Sequence, residues 1–237
     1  MSAQQISPDL FIRGFTPPLR LADFKLVAFD MDSTLINIEC IDEIAEVVGR
    51  KAEVAAITEA TMRGEITDYK HSLRRRLALL RGVPVTALEQ VYARHLQLNP
   101  GVETFVQACQ AAGLKTLLIS GGFTFFSERI RTRLKLDFAR ANVLEIADSK
   151  LTGALVPRPW GEIVDGFEKR RVLLEVTELM GIRPEQTIAV GDGAHDLPMM
   201  SVAGLSIAFH PKPAVLVQAM LSITHGGMDR ALALLQV

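Results

Sequence analysis

Leu26-Val27-Ala28-Phe29-Asp30-Met31-Asp32-Ser33-Thr34-Leu35 is a short apolar run that passes without a break into two aspartates. The four apolar residues read as a buried strand, so the carboxylates fall at the strand's exit. Side chains two residues apart on an extended segment point the same way. Asp30 and Asp32 are therefore expected to project together into the crevice at the carboxyl end of a parallel sheet, where open α/β folds bind ligands. Two like charges placed together repel, and a bound cation or a shared proton offsets that cost. Either one supplies chemistry: a carboxylate nucleophile, an acid or base beside it, and a place for Mg²⁺.

Taken alone, the pair also suits a polar turn, because Asp, Ser and Thr favour turns and helix N-caps. A second acidic cluster far along the chain shifts the balance. Thr187-Ile188-Ala189-Val190 reads as another short buried strand and runs into Gly191-Asp192-Gly193-Ala194-His195-Asp196. Carboxylates at two strand exits suit a divalent metal gathered from neighbouring strands, since Mg²⁺ takes a few carboxylates together with water and phosphate oxygens.

Outward from these motifs, strands and helices alternate. Residues 1–24, with Pro8, Pro17 and Pro18, read as an irregular lead-in. Helical periodicity recurs over 41–48, 53–62, 72–80 and 85–95 with no strand between. A helix over 102–112, a strand over 114–120 and a helix over 123–134 follow. A hairpin then turns at Asp148-Ser149-Lys150, and a helix covers 169–180. After the second cluster come a short helix, a strand near 205–208 and a final helix from about 227. This order predicts an α/β fold with a parallel sheet covered by helices on both faces. The all-helical stretch 40–97 is then an inserted cap, a lid over the carboxyl edge, with 1–39 and 98–237 forming the core.

Composition bounds the function classes. The chain has 237 residues, 49% hydrophobic and 22% charged, with a net charge of −1. That balance excludes a largely disordered chain and offers no general electrostatic case for nucleic acid or anionic membrane. The local basic patch Arg74-Arg75-Arg76 with Arg81 reads as a solvated helix face. The N-terminus lacks the pattern of a secretory signal and no run of eighteen apolar residues occurs, so a cytoplasmic protein with no membrane partner is expected. Cys40 and Cys109 have no metal-ligand spacing and read as small buried hydrophobes.

Three further features bear on chemistry. Ser120-Gly121-Gly122 leaves a strand and opens a helix, where backbone N–H groups and the helix dipole can hold an anion; an N-capping serine before a tight glycine turn is the plain alternative. Lys169 at a helix start is mildly unfavourable, because the dipole is positive there. A lysine reaching a phosphoryl group would justify the position, although sequence physics alone favours a solvated lysine. His195 lies inside the acidic cluster, whereas His71, His95, His210 and His225 are scattered without ligand spacing.

On Asp30-Met31-Asp32-Ser33-Thr34, Ser120-Gly121-Gly122-Phe123, Lys169 and Gly191-Asp192-Gly193-Ala194-His195-Asp196, the chain resembles the haloacid-dehalogenase superfamily of aspartyl-phosphate phosphatases from about residue 26 to 208. The resemblance implies a Rossmann-like core with a helical cap. It further implies Asp30 as nucleophile, Asp32 as acid and then base, and Lys169 as a catalytic cation. Mg²⁺ would be held by Asp30, the backbone carbonyl of Asp32, and Asp192, with Asp196 in support. Ser120, Gly121, Lys169 and His195 would surround the phosphate. It also implies a small phosphorylated amino acid as substrate, its ammonium at Glu39, its carboxylate at Arg76, and Met62 and Tyr69 packed around its short arm. The assembly would be a monomer or a homodimer.

Two departures stand out: His195 occupies a position where the family usually has asparagine, and the segment between Gly64 and Ser72 is one residue longer than the family pattern. Three rivals stay open at this stage. One is a phosphatase of the same superfamily acting on another small phosphoester. Another is a signalling module phosphorylated on aspartate, against which stand Asp32 and the lid. The third is a catalytically dead binding protein, against which stands the intact set of Asp30, Asp32, Lys169 and Asp192.

Overall fold

The computed structural model describes residues 3–62, 68–158 and 163–236, with residues 61 and 62 described by their backbone alone. Strands β1 (Gln4–Ser7), β2 (Leu10–Ile12) and β3 (Leu19–Arg20) precede β4 (Leu26–Phe29). Five helices follow: α1 (Cys40–Val47), α2 (Lys51–Met62), α3 (Tyr69–Leu79), α4 (Val85–Arg94) and α5 (Val102–Ala111). Next come β5 (Lys115–Phe123), α6 (Thr124–Leu134), β6 (Phe138–Asn142), β7 (Leu144–Ala147), β8 (Lys150–Leu155) and α7 (Gly166–Leu179). The chain closes with β9 (Thr187–Gly191), α8 (Leu197–Met200), β10 (Leu205–Phe209), α9 (Pro213–Leu216), β11 (Leu221–Ile223) and β12 (Leu235–Gln236).

The main sheet runs β1-β2-β11-β10-β9-β4-β5-β6. Every pairing from β11 to β6 is parallel, and β4 lies between β5 and β9. Alternation along β4 divides the core. Val27 and Phe29 join one buried cluster with Leu118, Ile188 and Val190, while Leu26 and Ala28 join the other with Leu117, Ile119 and Ala189. Helices cover both faces, which is why β4 reads as an unbroken apolar run rather than an alternating one. Phe29 meets Phe105 of α5 edge to face at 6.1 Å, a geometry worth about 0.5–1.5 kcal/mol beyond area burial.

Register places the chemistry. Phe29 pairs with Val190 on one side and Leu118 on the other, so Asp30, just past the end of β4, stands level with Gly191 at the end of β9 and with Ile119 within β5. Cys40 and Cys109 are buried and unbridged, as small hydrophobes should be.

Several expectations need correction. The lead-in is not irregular: β1 and β2 form an antiparallel hairpin that extends the sheet beyond β11, with Leu10 and Ile12 buried. Three apolar residues between prolines are too few to carry a legible period, and only the exposed edge of β11 makes them a strand. Strand β6 escaped notice because Phe-Ala-Arg-Ala-Asn on a sheet edge is half solvated. The final helix is present over Met228–Leu234 but is of 3₁₀ rather than α type. Ser120-Gly121-Gly122 lies within the end of β5, with α6 starting at Thr124. Helix α7 begins three residues before Lys169, at Gly166, because Asp165 caps it by accepting the Glu168 N–H.

The helical stretch α1 to α4 departs from and returns to one spot. Ile36 and Leu98 form an antiparallel bridge, and the Asn37 N–H donates to the Gln97 carbonyl at 3.0 Å. The hairpin β7–β8 is tied to this stretch: Gly82 N–H donates to Leu151 O, and Leu151 N–H donates to Val83 O, both at 2.8 Å.

Candidate active site

Asp30 directly follows β4 and is buried. Its Oδ1 accepts the Met31 N–H at 2.7 Å and lies 2.7 Å from Lys169 Nζ, while Oδ2 is 3.0 Å from His195 Nε2. Burial alone would raise this carboxyl, but Lys169 and His195 outweigh it and hold Asp30 well below the usual carboxylate range. A permanently ionised, buried carboxylate is a poised nucleophile.

Asp32 has the opposite environment. Ser33 takes a left-handed backbone (φ 59°), which turns the chain so that Asp32 Oδ2 accepts the Cys40 N–H at 3.3 Å. The other oxygen, Oδ1, is buried without a hydrogen-bond partner among the described residues. Burial, then the charges of Glu39 and Asp30, push Asp32 well above the carboxylate range. Two neighbouring carboxyls driven apart in this way divide into a base and an acid.

Lys169 is fully buried, its Nζ 2.7 Å from both Asp30 Oδ1 and Asp196 Oδ1. Burial opposes its charge, yet the two carboxylates prevail and hold the lysine protonated. A solvated lysine is therefore ruled out. Asp196 Oδ2 also accepts the N–H groups of Asp192 and Gly193, at 3.1 and 3.0 Å, so this residue braces the loop that carries Asp192. Gly191 has no alternative here, because a Cβ would overlap the Asp196 carboxyl.

Asp192 is pushed up to about 6 by burial and by the charge of Asp30, with Lys212 pulling the other way. His195 is raised: burial opposes its charge, and Asp196 and Asp30 overcome that. Ligand atoms of Asp30, Asp192, His195 and Asp196 lie within 4.8 Å of one another. Three carboxylates and one imidazole, with burial and the charge of Asp30 pushing Asp192 upward despite Lys212, fit a small divalent cation. The Asp32 carboxylate is not part of that group.

Ser120 Oγ accepts the Gly122 N–H at 2.9 Å, shaping the turn at the end of β5. A side chain at Gly121 would run into the Tyr69 hydroxyl, and one at Gly122 would press on Asp32. Tyr69 thus reaches the site from the start of α3, and burial pushes its hydroxyl up to about 12. Glu39 stands at the N-cap of α1, but its Oε1 accepts from Ser33 Oγ at 2.8 Å instead of capping the helix. Arg76, in the last turn of α3, has a buried Nε with no hydrogen-bond partner among the described residues. The side chain of Met62 lies outside the described residues.

Two residues at the site went unread in sequence. Asn142 donates to the Gly121 carbonyl at 2.8 Å and accepts the Val164 N–H at 3.0 Å, bracing the glycine turn. Its strand was unrecognised, so no signal marked it. Lys212 Nζ lies 3.1 Å from Asp192 Oδ2. The strand-exit logic applied to Asp30 would have found it, three residues past the end of β10.

An α/β sheet with an aspartate pair, the first of them buried, and a buried lysine at its carboxyl edge defines a class, and the chain belongs to it: the family model for haloacid dehalogenase-like hydrolases matches residues 27–201. Its relatives bear a narrower name. A phosphoserine phosphatase of Polaromonas sp. is 61% identical over 236 residues, and one of Albidiferax ferrireducens is 62% identical over 236 residues, each alignment covering 100% of both chains. A solved phospho-aspartyl intermediate analogue of phosphoserine phosphatase superposes with a TM-score of 0.82 at 37% identity, covering 90% of this chain and 99% of that one. A substrate-bound phosphoserine phosphatase complex gives 0.82 at 36%, with the same coverage.

Proposed function

We propose that the chain hydrolyses O-phospho-L-serine to L-serine and phosphate through an aspartyl-phosphate intermediate, the last step of serine biosynthesis. The observation that carries this reading is the opposed pair: Asp30 with Lys169 Nζ at 2.7 Å holding it ionised, and Asp32 pushed upward by burial and the charges of Glu39 and Asp30, with one buried oxygen lacking a hydrogen-bond partner among the described residues. Asp30 attacks phosphorus as the bond to the serine oxygen breaks, and Asp32 delivers its proton to that oxygen. Water then attacks the phosphoaspartate, Asp32 takes its proton, and phosphate leaves, so one difficult displacement becomes two easier ones. Lys169, His195 and the turn at Ser120-Gly121 surround the phosphoryl group.

Mg²⁺ suits the carboxylate cluster; Asp30, Asp192 and the backbone carbonyl of Asp32 would hold it, with Asp196 in support, to neutralise phosphoryl charge. Glu39 reads the substrate ammonium and Arg76 its carboxylate, a role supported by the buried Nε of Arg76 that has no hydrogen-bond partner among the described residues. Met62 and Tyr69 flank the short arm. Residues 40–97 act as a lid, and the backbone bonds to β7–β8 support that hairpin moving with it. Among the described residues no helix is long and apolar enough to cross a membrane. A cytoplasmic monomer or homodimer, working on a small molecule and not on nucleic acid, accords with this chemistry.

Phosphate release with Mg²⁺ should be measured across L-phosphoserine, D-phosphoserine, phosphothreonine and simple sugar phosphates. Strong preference for L-phosphoserine and near-complete loss in Asp30→Asn are expected. Activity spread evenly over the panel would transfer the assignment to a general phosphatase of this family.

A further inference from the structure

Lys212 is a cation that none of the roles above requires, yet the chain places it with care. It sits between Pro211 and Pro213. Proline fixes its own φ and confines the residue before it to extended backbone, and Lys212 has φ −64° and ψ 153°. Its N–H donates to the Asp192 carbonyl at 2.9 Å, and its own carbonyl accepts the N–H groups of Val215 and Leu216 at 3.0 and 3.2 Å. The backbone is thus clamped at both ends.

From that clamp the side chain turns back over the site. Nζ lies 3.1 Å from Asp192 Oδ2 and 3.9 Å from Glu39 Oε1. The Glu39 oxygen is the one that also accepts Ser33 Oγ. On the far side of the same aspartate, Oδ1 faces Thr34 Oγ1 at 3.5 Å, a long and weak contact. The lysine therefore occupies one oxygen of Asp192 and leaves the other available to a cation.

We infer that Lys212 is a positioning residue: it pins the outer oxygen of Asp192 and borders Glu39, setting the spacing between the divalent-cation end and the ammonium-reading end of the pocket. The inference rests on the roles proposed above for Asp192 and Glu39. Groups that orient a metal-binding side chain from behind typically change metal affinity by about 10- to 100-fold when lost.

The test uses Lys212→Met, which keeps the stem and removes the charge, and Lys212→Arg, which keeps the charge. Mn²⁺ affinity is measured on the full chain without substrate, by electron paramagnetic resonance of the free ion, with near-ultraviolet circular dichroism to verify folding. About tenfold weaker binding is expected in Lys212→Met, with most of it restored in Lys212→Arg. The ratio of kcat/KM for L-phosphoserine to that for an amine-free phosphoester of equal length should also fall in Lys212→Met and recover in Lys212→Arg.

A folded Lys212→Met that binds Mn²⁺ within twofold of the unsubstituted chain overturns the inference. So does equal loss in both variants, which would assign the lysine to the helix start at residue 213 alone. If Lys212→Met fails to fold, Lys212→Gln takes its place under the same criteria. Failure of the parent reading looks different: Glu39→Gln would leave substrate preference unchanged while Lys212→Met still weakened Mn²⁺ binding.

Discussion

Lys169 Nζ and Asp30 Oδ1 stand 2.7 Å apart with the lysine wholly removed from solvent. The same ammonium is 2.7 Å from Asp196 Oδ1, so one cation serves two buried anions. Bulk water screens neither contact, and the pair holds together because every charge in it has a partner.

Replacing that cation should damage both stability and rate. Lys169→Met removes the cation that Asp30 and Asp196 share and leaves them only His195 and backbone N–H groups, a change that costs up to about 3–5 kcal/mol. Loss of a preorganised positive group at the phosphoryl site should lower kcat by roughly 10²- to 10³-fold. Urea midpoints and phosphate release would report the two effects. Lys169→Arg should not rescue either, since a planar fork does not replace a compact ammonium in a closed space. An unchanged midpoint would refute the account of the pair.

Stability of the metal-free protein should depend on pH through Asp192. Its folded value, about 6, lies above the unfolded value near 3.8, so the native state binds more protons between those limits. Stability must therefore fall as pH rises from about 4 to above 6, by up to about 3 kcal/mol from this group. Asp30, with a lowered value, contributes in the other sense: its part is present above about pH 4 and is lost as pH falls toward its folded value. Comparing Asp192→Asn with the unsubstituted chain across this range isolates the first effect. Added Mg²⁺ should abolish the decline, and parallel curves for the two proteins would sink the prediction.

Gly121 and Tyr69 should prove energetically coupled. A Cβ at residue 121 would overlap the Tyr69 hydroxyl but meet the ring carbon behind it at an ordinary 3.5 Å. Gly121→Ala should thus cost about 1–3 kcal/mol by overpacking, and Tyr69→Phe in that background should recover a large part of it. The remaining loss comes from the Val164 carbonyl, 3.2 Å from the same methyl. Thermal midpoints of the two single variants and the double variant form the cycle; strict additivity would show that the clash is absent.

Glu39→Gln should alter selectivity more than general activity. Loss of a charged acceptor for the substrate ammonium is worth about 1.5–3 kcal/mol, roughly a 10- to 100-fold fall in kcat/KM for L-phosphoserine. An amine-free phosphoester should lose far less. Equal losses on both substrates would remove Glu39 from substrate reading.

Much of the plan was legible in the chain because the relevant signals are local. An apolar run entering Asp30-Met31-Asp32, a second entering Gly191-Asp192, and four successive helical periods are short-range patterns, and they suffice for a parallel sheet, the acidic groups at its carboxyl edge and a run of helices after β4. Elements lacking such patterns were missed: β2 exists because β11 offers it an edge, and β6 because β5 does.

What tertiary structure alone decided is the state of each group. Residue pattern alone left Lys169 closer to a solvated residue than to a catalytic one, and told Asp30 from Asp32 only through the family resemblance. Packing buried Lys169 between two carboxylates, put Asp30 beside it, and set Asp32 where hydrogen bonds from Cys40 do not offset its desolvation and the charges of Glu39 and Asp30. Residue type and spacing specify which atoms can ionise. Desolvation and the distances to charges from remote segments determine whether they do, and those quantities exist only once the chain has closed around them.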